Sequence, residues 1–334
     1  MTAEMTRFSR RVFAVVLIVG LVAAGAYAIQ ILLLAFAGIL LAVLLRAAGT
    51  WLHDHARLAI PWSMATVLIS FGAFLFGTIL IFGVQIANQA DQLFWAVSQA
   101  YNQFHEKLAA YHIAGSIQNG GLNLETPATA AASSAVWMAA AMVMVLFLGI
   151  YLSTNPALYT DLFLSFFHGK TRTRVTELLE SIASALRWWL AGQLISMAIV
   201  GAITVLGLLL VGAPMAIPLG VLSMLLTFVP YVGAIASGVP AVLLAFTKST
   251  HLAMWVILVY LVAHVVEGYI VTPLVQHRLV YLPPAMILTT QFVMHLFGRV
   301  IGLTFATPLM VVGMVLIKEL YFRQDWTETT EEAA

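Results

Sequence analysis

WWLAGQLISMAIVGAITVLGLLLVGAPMAIPLGVLSMLLTFVPYVGAIASGVPAVLLAFT, from Trp188 to Thr247, carries no Asp, Glu, Lys or Arg, yet Pro214, Pro218, Pro230 and Pro240 cut it. A membrane span needs about 20 apolar residues, so this run is too long for one helix. It is also too apolar for a soluble core. Backbone polar groups freed by proline each cost several kcal/mol in hydrocarbon. Broken backbone at membrane depth therefore survives only inside protein or beside a water-filled cavity. Interrupted apolar segments of this kind point to a transporter's substrate path.

The rest of the chain agrees. Of 334 residues 62% are hydrophobic and only 9% charged, and the mean hydropathy is +0.99. A soluble chain carries about 25% charged residues. The expected class is all-α: a polytopic membrane protein of about eight transmembrane helices, one or more of them broken, with amphipathic helices outside the bilayer. The net charge of +1 and the scattered basic residues give no case for a nucleic-acid partner. Without a cysteine there is no disulfide, Cys–zinc or iron–sulfur chemistry.

Five regions follow from the pattern. Residues 1–84 hold an N-terminal hairpin and a third span. Arg7, Arg10 and Arg11 precede an uncharged run from Val12 to Leu45. As one helix that run would be about 50 Å long, against roughly 30 Å of hydrocarbon. A turn near Gly25 to Gln30 is expected instead, with the run retained as membrane helix rather than cleaved as a signal peptide. Arg46 and Arg57 then join Arg7, Arg10 and Arg11 on the cytoplasmic side by the positive-inside rule. Pro61 starts the third span, which runs to about Val84.

Residues 85–133 are read as an extracytoplasmic amphipathic region. Ile86, Leu93, Val97, Tyr101, Phe104, Leu108 and Tyr111 recur every three or four residues, and Gly115 or Asn119-Gly120-Gly121 ends the helix. Residues 134–190 supply a fourth span, closed by Ser153-Thr154-Asn155-Pro156, and then a cytoplasmic helix. Val175, Leu178, Leu179, Ile182, Leu186 and Trp189 stripe one face of that helix. Arg174, Glu177, Glu180, Ser184 and Arg187 occupy the other. It lies in the interface or simply connects. Residues 191–322 are the expected transport core. They comprise a span from Ala191 to Val211, the interrupted Met215–Phe246, a span from Leu252 to Ile270, and Met286–Ile317 with Arg299 and Pro308 inside. Residues 323–334 are an acidic, disordered tail. No internal repeat is evident.

Two clusters carry candidate chemistry. In the first, Pro230 removes an amide donor, while Tyr231, Gly233 and Gly238 lead on to Pro240. Carbonyls released there can coordinate a cation or accept from a polar solute; the bland alternative is a kink at a close helix crossing. In the second, Glu267 is the only acidic residue between Glu180 and Glu319. Gly268, Tyr269, Thr272 and Pro273 follow it, then Gln276, His277 and Arg278. A carboxylate within a span is a functional candidate by default. It holds a proton or cation, or pairs with Arg278 or Arg299. Arg299, with His295 four residues earlier, needs a carboxylate, a carbonyl cage or water, unless it snorkels to the surface. His264, Glu267 and His295 have ligand-type side chains, but nothing else favours a metal. No cofactor is expected. HExxH and GxSxG are absent, so an intramembrane hydrolase is unsupported and no enzyme is expected. GxxxxGK[ST] is absent too, which leaves ion or solute gradients as the energy source.

These motifs come in a characteristic order. Arg187-Trp188-Trp189-Leu190-Ala191-Gly192-Gln193 is followed by Gly212-Ala213-Pro214, Pro230-Tyr231-Val232-Gly233 and Pro240-Ala241-Val242-Leu243-Leu244. Glu267-Gly268-Tyr269, Thr272-Pro273-Leu274, Leu282-Pro283-Pro284 and Ala306-Thr307-Pro308-Leu309 come next. From about residue 160 to 320 this resembles the autoinducer-2 exporter family of bacterial membrane proteins; the first 160 residues match in layout. The resemblance implies a bacterial inner-membrane protein with about eight spans and a homo-oligomeric state; the positive-inside rule and eight crossings place the N-terminus in the cytoplasm. Members are described as exporters of a furanone signal, some as sodium/proton antiporters. Glu267, Pro230 and Gly233 are the positions carried over by motif.

Three functions remain in play. The first is export of a small polar organic solute, with proton coupling through Glu267. The second is monovalent cation/proton antiport, with Glu267 as ion ligand. The third is a membrane scaffold whose stretch Gln85 to Thr126 binds a partner. The bilayer itself is the one partner common to all.

Overall fold

The computed structural model describes residues 2–110, 128–273 and 283–319. Among them every regular element is helical: α1 (Thr2–Ala56), α2 (Ile60–Ala110), α3 (Ala128–Thr154), α4 (Pro156–Leu164), α5 (Lys170–Leu210), α6 (Ala216–Leu226), α7 (Val232–Lys248), α8 (Thr250–Val266) and α9 (Pro284–Ile317). A π-helical turn, Glu267–Val271, continues α8.

Five helical segments of the described residues are long and apolar enough to cross a bilayer: Ala28–Ala56, Trp137–Thr154, Lys170–Leu210, Thr250–Val271 and Pro284–Ile317. Eight crossings are therefore not established. The expected hairpin near Gly25 to Gln30 is absent, because α1 runs unbroken from Thr2 to Ala56. No proline lies in this stretch, so each amide finds its acceptor four residues back. Arg11 and Arg46 then stand about 50 Å apart along one axis, and the grouping of Arg7, Arg10 and Arg11 with Arg46 falls with the hairpin. Likewise the third span and the amphipathic stretch after it form one helix, α2, up to Ala110. The turn expected at Asn119-Gly120-Gly121 and the acidic tail lie outside the described residues.

The basic helix after the fourth span is not separate either. It is the first half of α5, and its apolar stripe is turned inward. Leu186, Trp189 and Leu190 share a buried core with Leu40, Ile287, Met310 and Val311, while Ile182 packs at its edge.

Glycines set the close crossings. Gly38 faces Leu148 and Gly149 faces Leu41, and farther along Val43 and Arg46 share a groove with Leu152 and Pro156, so α1 and α3 pack closely in parallel, both ending at the basic side. Gly201 lies against Met224, Gly220 against Val205 and Gly207 against Val259, so α5, α6 and α8 also meet at van der Waals distance.

α5 serves as a ruler for depth. One end of the molecule is basic, with Arg46, Arg57, Lys170, Arg172, Arg174 and Arg187. From Arg187, Gln193 is about 9 Å along the helix, Thr204 about 26 Å and Leu210 about 35 Å. α5 therefore crosses the hydrocarbon from the basic end to the far end. After Gly212, α6 turns back. Thr204 meets Ser223, and Gln193 meets Thr227. The chain then breaks and α7 returns to the far end, with Ser223 opposite Ser237. At 11 and 17 residues, α6 and α7 are each shorter than the roughly 20 residues of a span. Together they form a hairpin inserted from the far end, its tip about 9 Å short of Arg187.

α9 is a second hairpin. Arg299 has φ 49° and ψ −132° inside it. The backbone of Gly302 lies against the Met294 carbonyl; eight residues would separate them by about 12 Å on a straight helix. The first arm starts at the basic side and the second returns to it. Ile287 of the first and Met310 and Val311 of the second share one core, and Ser181 Oγ donates to Glu319 Oε1 at 3.3 Å. Two hairpins thus enter from opposite ends and pass each other. Their symmetry of layout was not visible as a sequence repeat.

Candidate functional site

The tip of the first hairpin, Thr227 to Tyr231, is where four elements converge. Pro230 cannot donate, and Tyr231 takes φ 62° and ψ −56°, outside the helical basin. The helical ladder ends there, and backbone groups are released. Phe228 anchors the tip. Its ring meets Trp189 of α5 edge-on at 5.7 Å and Phe305 of α9 at 6.5 Å, and Phe305 in turn meets Phe36 of α1 at 6.2 Å. The broken backbone is therefore held inside protein, as its polar groups require.

Two glutamines serve the released carbonyls. Gln193 Nε2 of α5 donates to the Thr227 carbonyl at 2.6 Å, and Gln291 Nε2 of α9 donates to the Pro230 carbonyl at 2.9 Å. The Pro230 carbonyl also accepts from Val232 N–H at 2.7 Å. Gln291 is 2% exposed, and its Oε1 is buried without a hydrogen-bond partner. A neutral amide thus offers one unused acceptor beside the break. It lines a groove of about 530 Å³ with Val232, Thr289, Phe292, His295 and Leu303.

Gly233 sits at the start of α7 because nothing larger fits. A Cβ there would collide with the Leu226 carbonyl. Its own amide donates to the Val229 carbonyl at 2.9 Å, which closes the turn. Pro240 lies nine residues beyond Tyr231, within α7 and half-buried. It is some 14 Å from the tip and does not join the cluster.

The acidic residue belongs to a second polar row on α8. His264 Nδ1 lies 2.8 Å from Glu267 Oε2, both side chains about four-fifths buried. Spacing of three residues puts them on one helical face, and Tyr260 is four residues before His264 on the same face. Tyr260 faces Ser223, although its hydroxyl closes no hydrogen bond of ordinary geometry, and His264 Nε2 is likewise unpartnered. Ser223 Oγ is 3.4 Å from Ser237 Oγ and 3.5 Å from Thr204 Oγ1. All three hydroxyl residues are fully enclosed. A polar row therefore runs from Glu267 through His264 and Tyr260 into the hairpin.

Glu267 opens the π-helical turn, a local widening frequent at functional sites. Thr272 is half-buried just beyond it, and Pro273 is exposed as the last described residue before the gap. Arg278 lies outside the described residues. The expected pairing of Glu267 with Arg299 is not formed: Glu267 is held by His264, and Arg299 is exposed at the second hairpin's tip. Among the described residues no group of three His, Asp or Glu could hold a metal.

The glutamines and the Thr204–Ser223–Ser237 ladder escaped the sequence reading. One signal was available: Gln193 is the lone amide side chain in the uncharged run from Trp188 to Thr247.

The sequence as a whole matches the family model described as AI-2E family transporter over residues 12–322. The chain belongs to the AI-2E transporter family. Relatives include "Putative transport protein YueF" of Bacillus subtilis (strain 168), 23% identical over 65% of this chain and 58% of that protein. "Putative transport protein YrrI" of the same organism is 26% identical over 44% of this chain and 41% of that protein. The matched region thus spans about half the length of these AI-2E-type relatives. Membership makes the chain a transporter-type, multi-pass membrane protein, in keeping with its apolar helices.

Proposed function

We propose that this chain is a secondary transporter that carries a small polar organic solute, of the autoinducer-2 type, out across the bacterial inner membrane. The observation that carries the reading is the unused Gln291 Oε1 beside the broken hairpin tip. An uncharged acceptor next to two carbonyls already served by side chains suits a solute that brings hydroxyl donors. A hydroxyl that satisfies a buried acceptor contributes about 1 kcal/mol, and one left unmatched costs more. That difference selects polar solutes over apolar ones. The His264–Glu267 pair supports proton coupling, since a buried carboxylate beside an imidazole can exchange a proton with the Tyr260 and serine row.

Monovalent cation/proton antiport is the second reading, favoured by the same buried Glu267. Against it, the Thr227 and Pro230 carbonyls that would complete a cation site already accept from Gln193 and Gln291. A homo-oligomeric assembly and a scaffold role for the stretch after Val84 stay as further proposals.

Reconstituted protein assayed for efflux of labelled solute and for sodium- or potassium-driven proton flux, each with Glu267→Gln, separates these readings. The exporter reading expects solute efflux that persists without a cation gradient and loses its pH-gradient dependence in Glu267→Gln. Cation-driven proton flux abolished by Glu267→Gln would replace it with antiport. Silence in both assays would favour the scaffold.

A further inference from the structure

A second groove, of about 500 Å³, lies at the basic end between α1, α3, α4 and α5, away from the hairpin tips. Ile39, Val43 and Leu152 give it an apolar lining toward one end, and Arg46, Arg187, Glu180 and Tyr159 line it as well. From Ile39 to Arg46 is about 10 Å along α1, so the lining passes from hydrocarbon-like to cationic along one axis. Among the described residues neither Arg46 nor Arg187 forms an ion pair.

The cationic end stands at the level of the lipid headgroups. Trp51 (61% exposed) and Trp62 (71%) flank it on α1 and α2, and Trp188 adjoins Arg187. Tryptophan and tyrosine gather at the membrane–water interface. The short helix α4 shows the same placement, with Leu158 and Leu162 turned outward one turn apart. Two unpaired guanidinium groups at this depth, above an apolar slot, match a phosphodiester attached to an acyl chain.

We propose that this groove is a binding site for one anionic phospholipid. The phosphate sits between Arg46 and Arg187, and an acyl chain lies along Val43 and Leu152. Glu180 in the lining accepts from headgroup hydroxyls and disfavours a second anion. The site is independent of the transport reading.

Native mass spectrometry tests it. Full-length protein is released from mixed micelles of equimolar phosphatidylglycerol, phosphatidylethanolamine and phosphatidylcholine, and the retained lipid is identified. One phosphatidylglycerol per chain should be retained in preference to the other two. Arg46→Gln with Arg187→Gln should weaken retention by about thirtyfold, the change expected for two basic residues near a membrane surface. Ala183→Trp, which fills the slot and leaves both charges, should weaken it as well, so a folding defect in the double variant does not decide the matter. Equal retention of the three lipids, unchanged retention in the Ala183→Trp protein, or displacement of the lipid by millimolar inorganic phosphate would overturn the proposal.

Discussion

Gln193 and Gln291 do different amounts of stabilising for the same chemical reason. The Pro230 carbonyl accepts from Val232 N–H as well as from Gln291, whereas Gln193 is the side chain that serves Thr227. Gln193→Leu should therefore cost about 2 kcal/mol, the penalty for orphaning a buried acceptor. Gln291→Leu should cost less than half of that, because it also removes the unsatisfied Oε1. Thermal unfolding in detergent measures both, and the reverse ranking would contradict the assignment. At this scale the sequence discloses covalent facts and little else. Pro230 announces the break because its ring abolishes a donor. Gly233 announces a tight place because it lacks a Cβ. A glutamine in an apolar run looks the same whether it caps a distant carbonyl or lines a surface, since the carbonyl it meets lies 34 residues away for Gln193 and 61 for Gln291.

The helices were readable as helices, but their joints were only half so. The first hairpin breaks where Pro230 stands. The second breaks at Arg299, while Pro308, the proline within the same helix, is buried in an unbroken stretch. Proline in a membrane helix can be accommodated by neighbours, and a fold-back can occur without one. Both hairpin tips hold a non-glycine residue at positive φ, Tyr231 and Arg299, a conformation that costs about 1–3 kcal/mol. Arg299→Gly should recover about 1 kcal/mol of that strain, seen as a higher unfolding midpoint. A lower midpoint would mean that the guanidinium makes contacts worth more than the strain. The joints expected near Gly25 to Gln30 and between the basic helix and the fifth span were inferred from length and charge. Both apolar runs continue as single helices, because nothing in the covalent chain stops the hydrogen-bond ladder.

Over the whole molecule, the class was plain from composition: so little charge leaves only hydrocarbon as solvent. The pairing of two opposed hairpins was not, because it rests on contacts such as Gln291–Pro230 and on the shared core of Ile287 with Met310. That arrangement fixes sidedness. Single cysteines placed at Arg57 and at Lys170 should be modified from one side of the membrane, and one at Ser249 from the other. The absence of native cysteine makes the labelling clean. A Ser249 site reached from the same side as Lys170 would refute the antiparallel run of α5, α6 and α7.

Single-cysteine accessibility at the hairpin tip tests most directly whether the proline-broken backbone borders water at bilayer depth. Tyr231 is partly open at the tip, while Ile235, one turn on, is 70% exposed on the outer surface of α7, which faces lipid. Tyr231→Cys should react with a small water-soluble thiol reagent and Ile235→Cys should not. Equal modification of both, as on an aqueous loop, or protection of both, as in dry packing, would contradict a wet path at the broken tip.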